Sequence, residues 1–102
     1  MKNYLIYCFA SIFFVSLNAN ATESFTGKVV ALAPSYMPSY ISFQLDSGSS
    51  TCPANQWLKW MKSDLDNMKI VYATLLAAIS SGKLIRIYVN EKCEGEYLHI
   101  LQ

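Results

Sequence analysis

The chain has 102 residues, 53% of them hydrophobic and 15% charged, and this length allows a single domain. Lys2 is the one basic residue among the first 21, so residues 22–102 carry seven basic and seven acidic side chains and no formal net charge. Such a domain is a poor general binder of nucleic acid, whose phosphates require basic side chains. One His and three Cys leave little material for reactive chemistry, and we expect no metal and no cofactor.

The first 21 residues have the pattern of a secretory signal peptide. Lys2 supplies a positive start, Tyr4–Leu17 is an apolar run, and Ala19–Ala21 fits the small-x-small cleavage rule. We expect cleavage after Ala21 and an exported product, periplasmic or secreted, that consists of residues 22–102.

Two other interpretations of this segment compete with a signal peptide. A membrane anchor would need about 20 apolar residues, and this run is shorter and is followed by no basic stop. A lipoprotein cysteine would be Cys8, which lies early in the segment and follows the bulky Tyr7. We favour the signal peptide over both, and we expect no membrane span in the mature chain.

The cysteines predict one structural disulfide. If Cys8 leaves with the signal peptide, Cys52 and Cys93 remain, and two Cys in a small exported domain most simply pair with each other. The bridge would close a loop of about 42 residues and stabilise the fold by about 4 kcal/mol in the chain-entropy model. A reactive or metal-binding pair is disfavoured, because the two residues have neither CxxC spacing nor a neighbouring His.

Three strands are predicted in the first half of the mature chain. An apolar run indicates a buried strand, alternating side chains indicate a half-buried one, and two prolines between them predict a loop. The third segment fits either a helical face or a strand, and we favour the strand because a better helix start follows it. The strands are Thr26–Ala33, Tyr40–Leu45 and Gln56–Met61, with a loop at Pro34–Ser39 and a turn at Asp46–Ser50.

A helix is predicted to begin at Ser63 and to end at Gly82. Ser caps free amides, and Asp64 and Asp66 place carboxylates where they suit the helix dipole. Nine of the ten residues in Ile70–Ile79 are apolar, whereas a surface helix shows a polar stripe. Two explanations stay open: the helix is sunk into a small barrel, or neighbouring copies cover its second face.

Two alternating strands follow the helix, at Leu84–Val89 and Tyr97–Leu101, and the polar turn Asn90–Gly95 between them holds Cys93. Three strands, one helix and two strands is the order of an OB-fold, a small five-stranded barrel. We therefore predict a small OB-fold-like β-barrel with one helix as the single domain. If Gln56–Met61 were helical, the fold would instead be a looser α+β sandwich.

The helix and the strand after it resemble a group of small secreted bacterial proteins with one disulfide. The stretches that carry the resemblance are Val71–Ala78, Ser81–Lys83 and Ile85–Val89, ending near Cys93. The same plan is similar to the B subunits of AB5 toxins, especially those of the subtilase-cytotoxin and pertussis-like type. The resemblance covers Thr26–Leu101, nearly all of the mature chain.

This resemblance implies an OB-fold that assembles into a ring of five copies, binds host glycans and carries an enzymatic A subunit. We therefore expect a homo-oligomer, with a pentamer as the first candidate. The chain is shorter than the subtilase-type B subunits, and none of their sialic-acid-contacting positions is carried over to a residue of this sequence.

The candidate ligand-binding residues lie on loops and at outward strand positions. Tyrosine offers an apolar ring and a polar tip, which suits wet recognition surfaces such as glycan sites. Each ring could instead form a cross-strand aromatic pair that only stabilises the sheet. The candidates are Ser35, Tyr36, Tyr40, Tyr88, Glu94 and Tyr97, whereas Trp57 and Trp60 are expected in the core.

Catalysis is not expected. His99 lies on an alternating strand, no G-x-S-x-G surrounds any Ser, and neither metal-ligand spacing nor a phosphate loop is present. Glu91, Glu94 and Glu96 cluster at the turn of Cys93, where they form a solvated loop or accept hydrogen bonds from a sugar or a cationic partner.

The leading hypothesis is an exported, non-enzymatic binding module that forms a ring and recognises glycan. The alternative is a periplasmic protein-interaction or inhibitor protein of the cell envelope. In that case Pro34–Ser39 or Asp46–Ser50 would be the loop that enters the target.

Overall fold

The computed structural model describes residues 22–102, so the predicted signal peptide and Cys8 lie outside the described residues. These 81 residues form five strands, one α-helix and one short 3-10 helix, in the predicted order. The elements are β1 (Glu23–Ala33), a 3-10 helix (Pro34–Tyr36), β2 (Ile41–Leu45), β3 (Leu58–Trp60), α1 (Leu65–Ser81), β4 (Leu84–Val89) and β5 (Gly95–Ile100).

The five strands form one antiparallel sheet in the order β3-β2-β1-β4-β5. The central strand β1 begins at Glu23, earlier than predicted, because its first half pairs with β4 and only its second half pairs with β2. The register of the β1–β2 pair shifts between Val29 and Ala31. This shift lies just after Lys28, the last residue of β1 that pairs with β4.

The sheet is not closed into the barrel that the sequence predicted. Between β3 and the start of β5, one isolated parallel bridge joins Lys59 to Glu94, and no ladder continues it within residues 22–102. Closure requires the two edge strands to stay adjacent along their length. Here β3 ends at Trp60, while β5 continues to Ile100 with β4 alone as its partner. One edge of β5 is therefore left open.

The core lies between the inner face of the sheet and one face of α1. The inward positions predicted for the second and fourth strands are confirmed, because the residues at these positions are buried. Met68, Val71, Leu75 and Ala78 follow helical spacing and close the core from the other side. The inward residues of the two strands are Ile41, Phe43, Leu45, Ile85, Ile87 and Val89.

The N-cap of helix α1 lies one residue later than predicted. Asp64, rather than Ser63, is the N-cap, and its Oδ1 accepts hydrogen bonds from the backbone N–H groups of Asp66 (3.0 Å) and Asn67 (3.5 Å). The predicted end is confirmed: Gly82 adopts a left-handed conformation with φ 73°, which glycine reaches without a Cβ clash.

The second face of α1 is not enclosed by the sheet. Ile70 is 66% exposed and Leu76 is 44% exposed, so the helix is not sunk into its own fold. We define the outer helix face as Leu65, Ala73, Leu76 and Ala77, all of them exposed. Of the two explanations for the over-apolar helix, enclosure within one copy is wrong.

The predicted disulfide between Cys52 and Cys93 is confirmed. It ties the loop after β2 to the turn before β5, and the Cys52 side chain is completely buried. Within residues 22–102, no helix has both the length and the apolar character that a membrane crossing needs.

The two tryptophans have different environments, although both were expected in the core. Trp60 is buried, its Nε1 donates to Asn67 Oδ1 (3.0 Å), and its ring lies against Gly95, where a Cβ would come within 2.5 Å of Trp60 Cε3. Trp57 is 49% exposed, which corrects the prediction. In β3 side chains alternate, so the inward positions of Leu58 and Trp60 place Trp57 on the outer side.

Candidate functional site

A cleft with aromatic walls lies where the β1–β2 connection meets β3. We call it the aromatic cleft, and its volume is about 310 Å³. Three chain segments build it: the end of β1 with the 3-10 helix, the start of β2, and β3 with the residue before it. Its lining residues are Ala33, Tyr36, Tyr40, Ser42, Trp57 and Lys59.

Two of the predicted ligand-binding tyrosines meet in this cleft. Tyr36 and Tyr40 stack with ring centroids 4.9 Å apart and an angle of 13° between their planes. The turn that follows the 3-10 helix brings the two rings together, because in it the backbone N–H of Tyr40 donates to the carbonyl of Tyr36 (3.3 Å). Tyr36 remains 51% exposed, so one ring of the stack is open to a ligand.

Of residues 22–102, Lys59 is the only charged one that lines the cleft. Its Nζ lies 4.7 Å from the centroid of the Tyr40 ring, in a cation–π contact. Among the described residues no carboxylate lies within ion-pair distance of this ammonium group. The cleft therefore combines half-exposed aromatic rings with a cation that an anionic or hydroxyl-rich ligand can reach.

The polar floor of the cleft is Ser42, which is buried although its position in the strand predicted an outward side chain. Its Oγ donates to the carbonyl of Leu58 (3.3 Å), which joins β2 to β3. The hydroxyl oxygen keeps its lone pairs for a ligand hydroxyl.

Trp57 and Lys59 were not among the predicted ligand-binding residues. The signal that could have found them is the strand period of two: with Leu58 and Trp60 inward, both neighbours point outward on one side. The sequence also showed Tyr36 and Tyr40, but the spatial proximity of the two segments comes only from the β2–β3 pairing.

Tyr88 and Tyr97 lie far along the sheet from this cleft, on the outer face of the β4–β5 hairpin. They are direct cross-strand partners, and their rings meet edge to face at 6.2 Å. His99 adds a second edge contact, 5.6 Å from the Tyr88 ring. This is the alternative that the sequence left open for the tyrosines, an aromatic pair that stabilises a sheet.

Glu94 and Glu96 are held by neighbours rather than left in a solvated loop. The Asn90 Nδ2 group donates to Glu94 Oε1 (3.1 Å) and to Glu96 Oε2 (3.2 Å). Glu96 also pairs with Lys62 at 3.0 Å. Glu91 is exposed, as predicted for a surface loop.

Ser35 is exposed in the 3-10 helix beside Tyr36 but is not a lining residue of the cleft. The structure therefore brings together Tyr36 and Tyr40 from the predicted set. It places Ser35 next to them and Tyr88, Glu94 and Tyr97 elsewhere.

The other proposed insertion loop, Asp46–Ser50, is tied to β1. The backbone N–H of Lys28 donates to Asp46 Oδ1 (2.8 Å), and Ser49 Oγ donates to Glu23 Oε1 (2.6 Å). Ser47 Oγ donates to the carbonyl of Thr26. A loop held by three such contacts has little freedom to enter a partner.

A second groove, of about 520 Å³, lies between the open edge of β5 and the first turns of α1. We call it the β5 groove. It shares no lining residue with the aromatic cleft. Its walls are Trp60, Lys62, Asp64, Asn67, Ile70, Val71, Glu96, Tyr97, Leu98 and His99.

Within residues 22–102, no group of three His, Cys, Asp or Glu side chains is arranged to hold a metal ion. Comparisons of the chain with protein-family models, with curated proteins and with solved structures find no match. The similarity to toxin B subunits therefore stays a prediction.

Proposed function

We propose that this chain is the precursor of an exported, non-enzymatic module that binds glycan through the aromatic cleft. The observation that carries the proposal is the half-exposed Tyr36 and Trp57 rings beside an uncompensated Lys59. Sugar rings present apolar C–H faces that stack on aromatic side chains and hydroxyl edges that need polar partners. Ser42 and Lys59 supply such partners at the floor and the wall of the cleft.

Replacing Trp57 with Ala tests the site. We expect at least a tenfold loss of glycan affinity, about 1.4 kcal/mol, because the substitution removes the largest stacking surface of the cleft. The measurement is a glycan array on the wild-type protein, followed by calorimetric titration of the best glycan with each variant.

The matched control is Tyr97→Ala, which removes an aromatic ring that is 65% exposed but lies outside the cleft. It should bind the glycan as the wild type does. The proposal is overturned if the array detects no glycan, or if the Trp57→Ala protein binds as tightly as the wild type.

The fold proposed for this module is an open OB-like barrel. Support comes from the central position of β1, the helix between β3 and β4, and the single parallel bridge from β3 to the start of β5. OB-folds are partly open five-stranded barrels, so one bridge is compatible with that class. Export is supported by the disulfide, which persists in oxidising compartments.

The assembly proposed is a ring of copies that pack through the outer helix face, with five copies expected. Leu65 and Leu76 lie on one flank of the helix, and Ala77 lies about 100° further around its axis. Exposed apolar side chains on two flanks suit a head-to-tail contact, in which each copy uses two different surfaces. Such contacts form a ring when the rotation from one copy to the next returns to the first copy.

Native mass spectrometry of the protein at low micromolar concentration tests the ring. The wild type should be a pentamer, and Leu76→Glu should be a monomer, because an interface that buries an unpaired carboxylate loses several kcal/mol. Leu84→Glu is the control, since Leu84 is also exposed but lies on β4. A monomeric wild type would remove the ring from the proposal and leave the glycan site untouched.

A further inference from the structure

The β5 groove is the second concave surface of the fold, and a row of unpaired backbone groups runs along it. Strand β5 pairs with β4 on one side only, and within residues 22–102 no strand covers its other edge. Exposed edges of this kind are templates for pairing with another chain.

The ladder identifies which backbone groups face the groove. The N–H of Leu101 donates to the carbonyl of Leu84 (2.8 Å), so the odd-numbered residues of β5 direct their backbone groups toward β4. In an antiparallel pair the residues between them direct theirs away. The amides and carbonyls of Leu98 and Ile100 therefore point to the open side, beyond the register shift that separates Tyr97 from Gly95.

The two side walls of the groove are apolar and strongly exposed. Ile70 on α1 is 66% exposed and Tyr97 on β5 is 65% exposed, more than any other large apolar side chain of the described residues. Leu98, which is half-buried, also lines the groove. An apolar side chain placed between Ile70 and Tyr97 would remove both from water.

The charged groups of the groove leave an excess of negative charge. Lys62 is neutralised by its ion pair with Glu96 at 3.0 Å. Asp64 remains at the end of the groove, where it caps the first turn of α1 and has no basic partner among the described residues. A basic side chain of a ligand would complement the negative charge of Asp64 in this part of the groove.

We propose that the β5 groove binds an extended, basic peptide segment of another protein, which adds a sixth strand to the sheet at β5. The peptide's backbone pairs with Leu98 and Ile100, one apolar side chain lies between Ile70 and Tyr97, and a Lys or Arg lies near Asp64. Edge pairing supplies affinity and the alternate side chains supply specificity. The groove volume lies within the range of about 300–1,000 Å³ that is typical of ligand sites.

The first test is a selection from a phage-displayed random decapeptide library on protein produced from the full chain. Selected sequences should share an apolar position and a Lys or Arg. A fluorescein-labelled selected peptide should lose at least tenfold in affinity for the Ile70→Asp variant. It should bind the Trp57→Ala variant as it binds the wild type, because Trp57 belongs to the other surface.

The second test reads the backbone directly by amide hydrogen exchange. Binding of the selected peptide should slow exchange of the Leu98 and Ile100 amides, which a peptide held only by side chains would leave unchanged. The proposal is overturned if no peptide is selected, or if the Trp57→Ala substitution weakens binding of the selected peptide. It is overturned as well if the Leu98 and Ile100 amides stay unprotected when the peptide binds. It is also overturned if they are protected without peptide, since another copy of the chain would then fill the groove.

Discussion

The Cys52→Ser variant should lose about 4 kcal/mol of its free energy of unfolding, because the unfolded chain regains the entropy of a loop closed between two positions that are 41 apart in the sequence. Small domains have a total stability of about 5–15 kcal/mol, so the loss would move the unfolding midpoint far toward low denaturant. Urea denaturation followed by tryptophan fluorescence measures it.

Two controls separate the bridge from side effects of the substitution. The double variant Cys52→Ala and Cys93→Ala removes the free thiol and should unfold at a similar urea concentration. The wild type treated with reductant should match both variants. Equal stability of the oxidised and reduced wild type would contradict the prediction.

Trp60→Ala should destabilise the fold by about 3–5 kcal/mol, the usual cost of truncating a large buried aromatic side chain. Trp60 lies where β3, β5 and α1 meet: its ring covers Gly95, and its Nε1 donates to Asn67 on the helix. The measurement is again urea denaturation. If Trp60→Ala fails to fold, Trp60→Phe keeps most of the packing and should lose about 1 kcal/mol with the hydrogen bond to Asn67.

The second tryptophan provides a crossed comparison. Trp57→Ala should change the free energy of unfolding by about 0.5 kcal/mol or less, since the side chain is half-exposed, while it loses glycan affinity. A larger destabilisation by Trp57→Ala than by Trp60→Ala would contradict the burial assigned to both residues.

The aromatic cleft and the β5 groove suit two different kinds of ligand. The aromatic cleft offers rings and a lone ammonium group, which suits a sugar. The β5 groove offers backbone donors and acceptors and an acidic end, which suits a peptide. Since the two share no lining residue, a variant at one surface leaves the other intact.

The candidate site was predictable only in part. Tyr36 is recognisable from the sequence because its loop is rich in proline and serine, and Tyr40 because it takes an outward position at the start of the predicted strand Tyr40–Leu45. Trp57 and Lys59 were missed, because β3 has only three residues and so short a strand shows its alternation weakly. Which tryptophan enters the core depends on which side of β3 faces the core once β3 has paired with β2.

The sequence by itself determined the order of the elements, the disulfide and the end of the helix at Gly82, all of which depend on local patterns or on the only two cysteines of residues 22–102. The tertiary structure decided whether the sheet closes, which face of α1 is covered and which rings share a cleft. These depend on contacts between segments far apart in the chain. Periodicity reports only that a side chain is apolar, and it does not report which surface, if any, lies opposite.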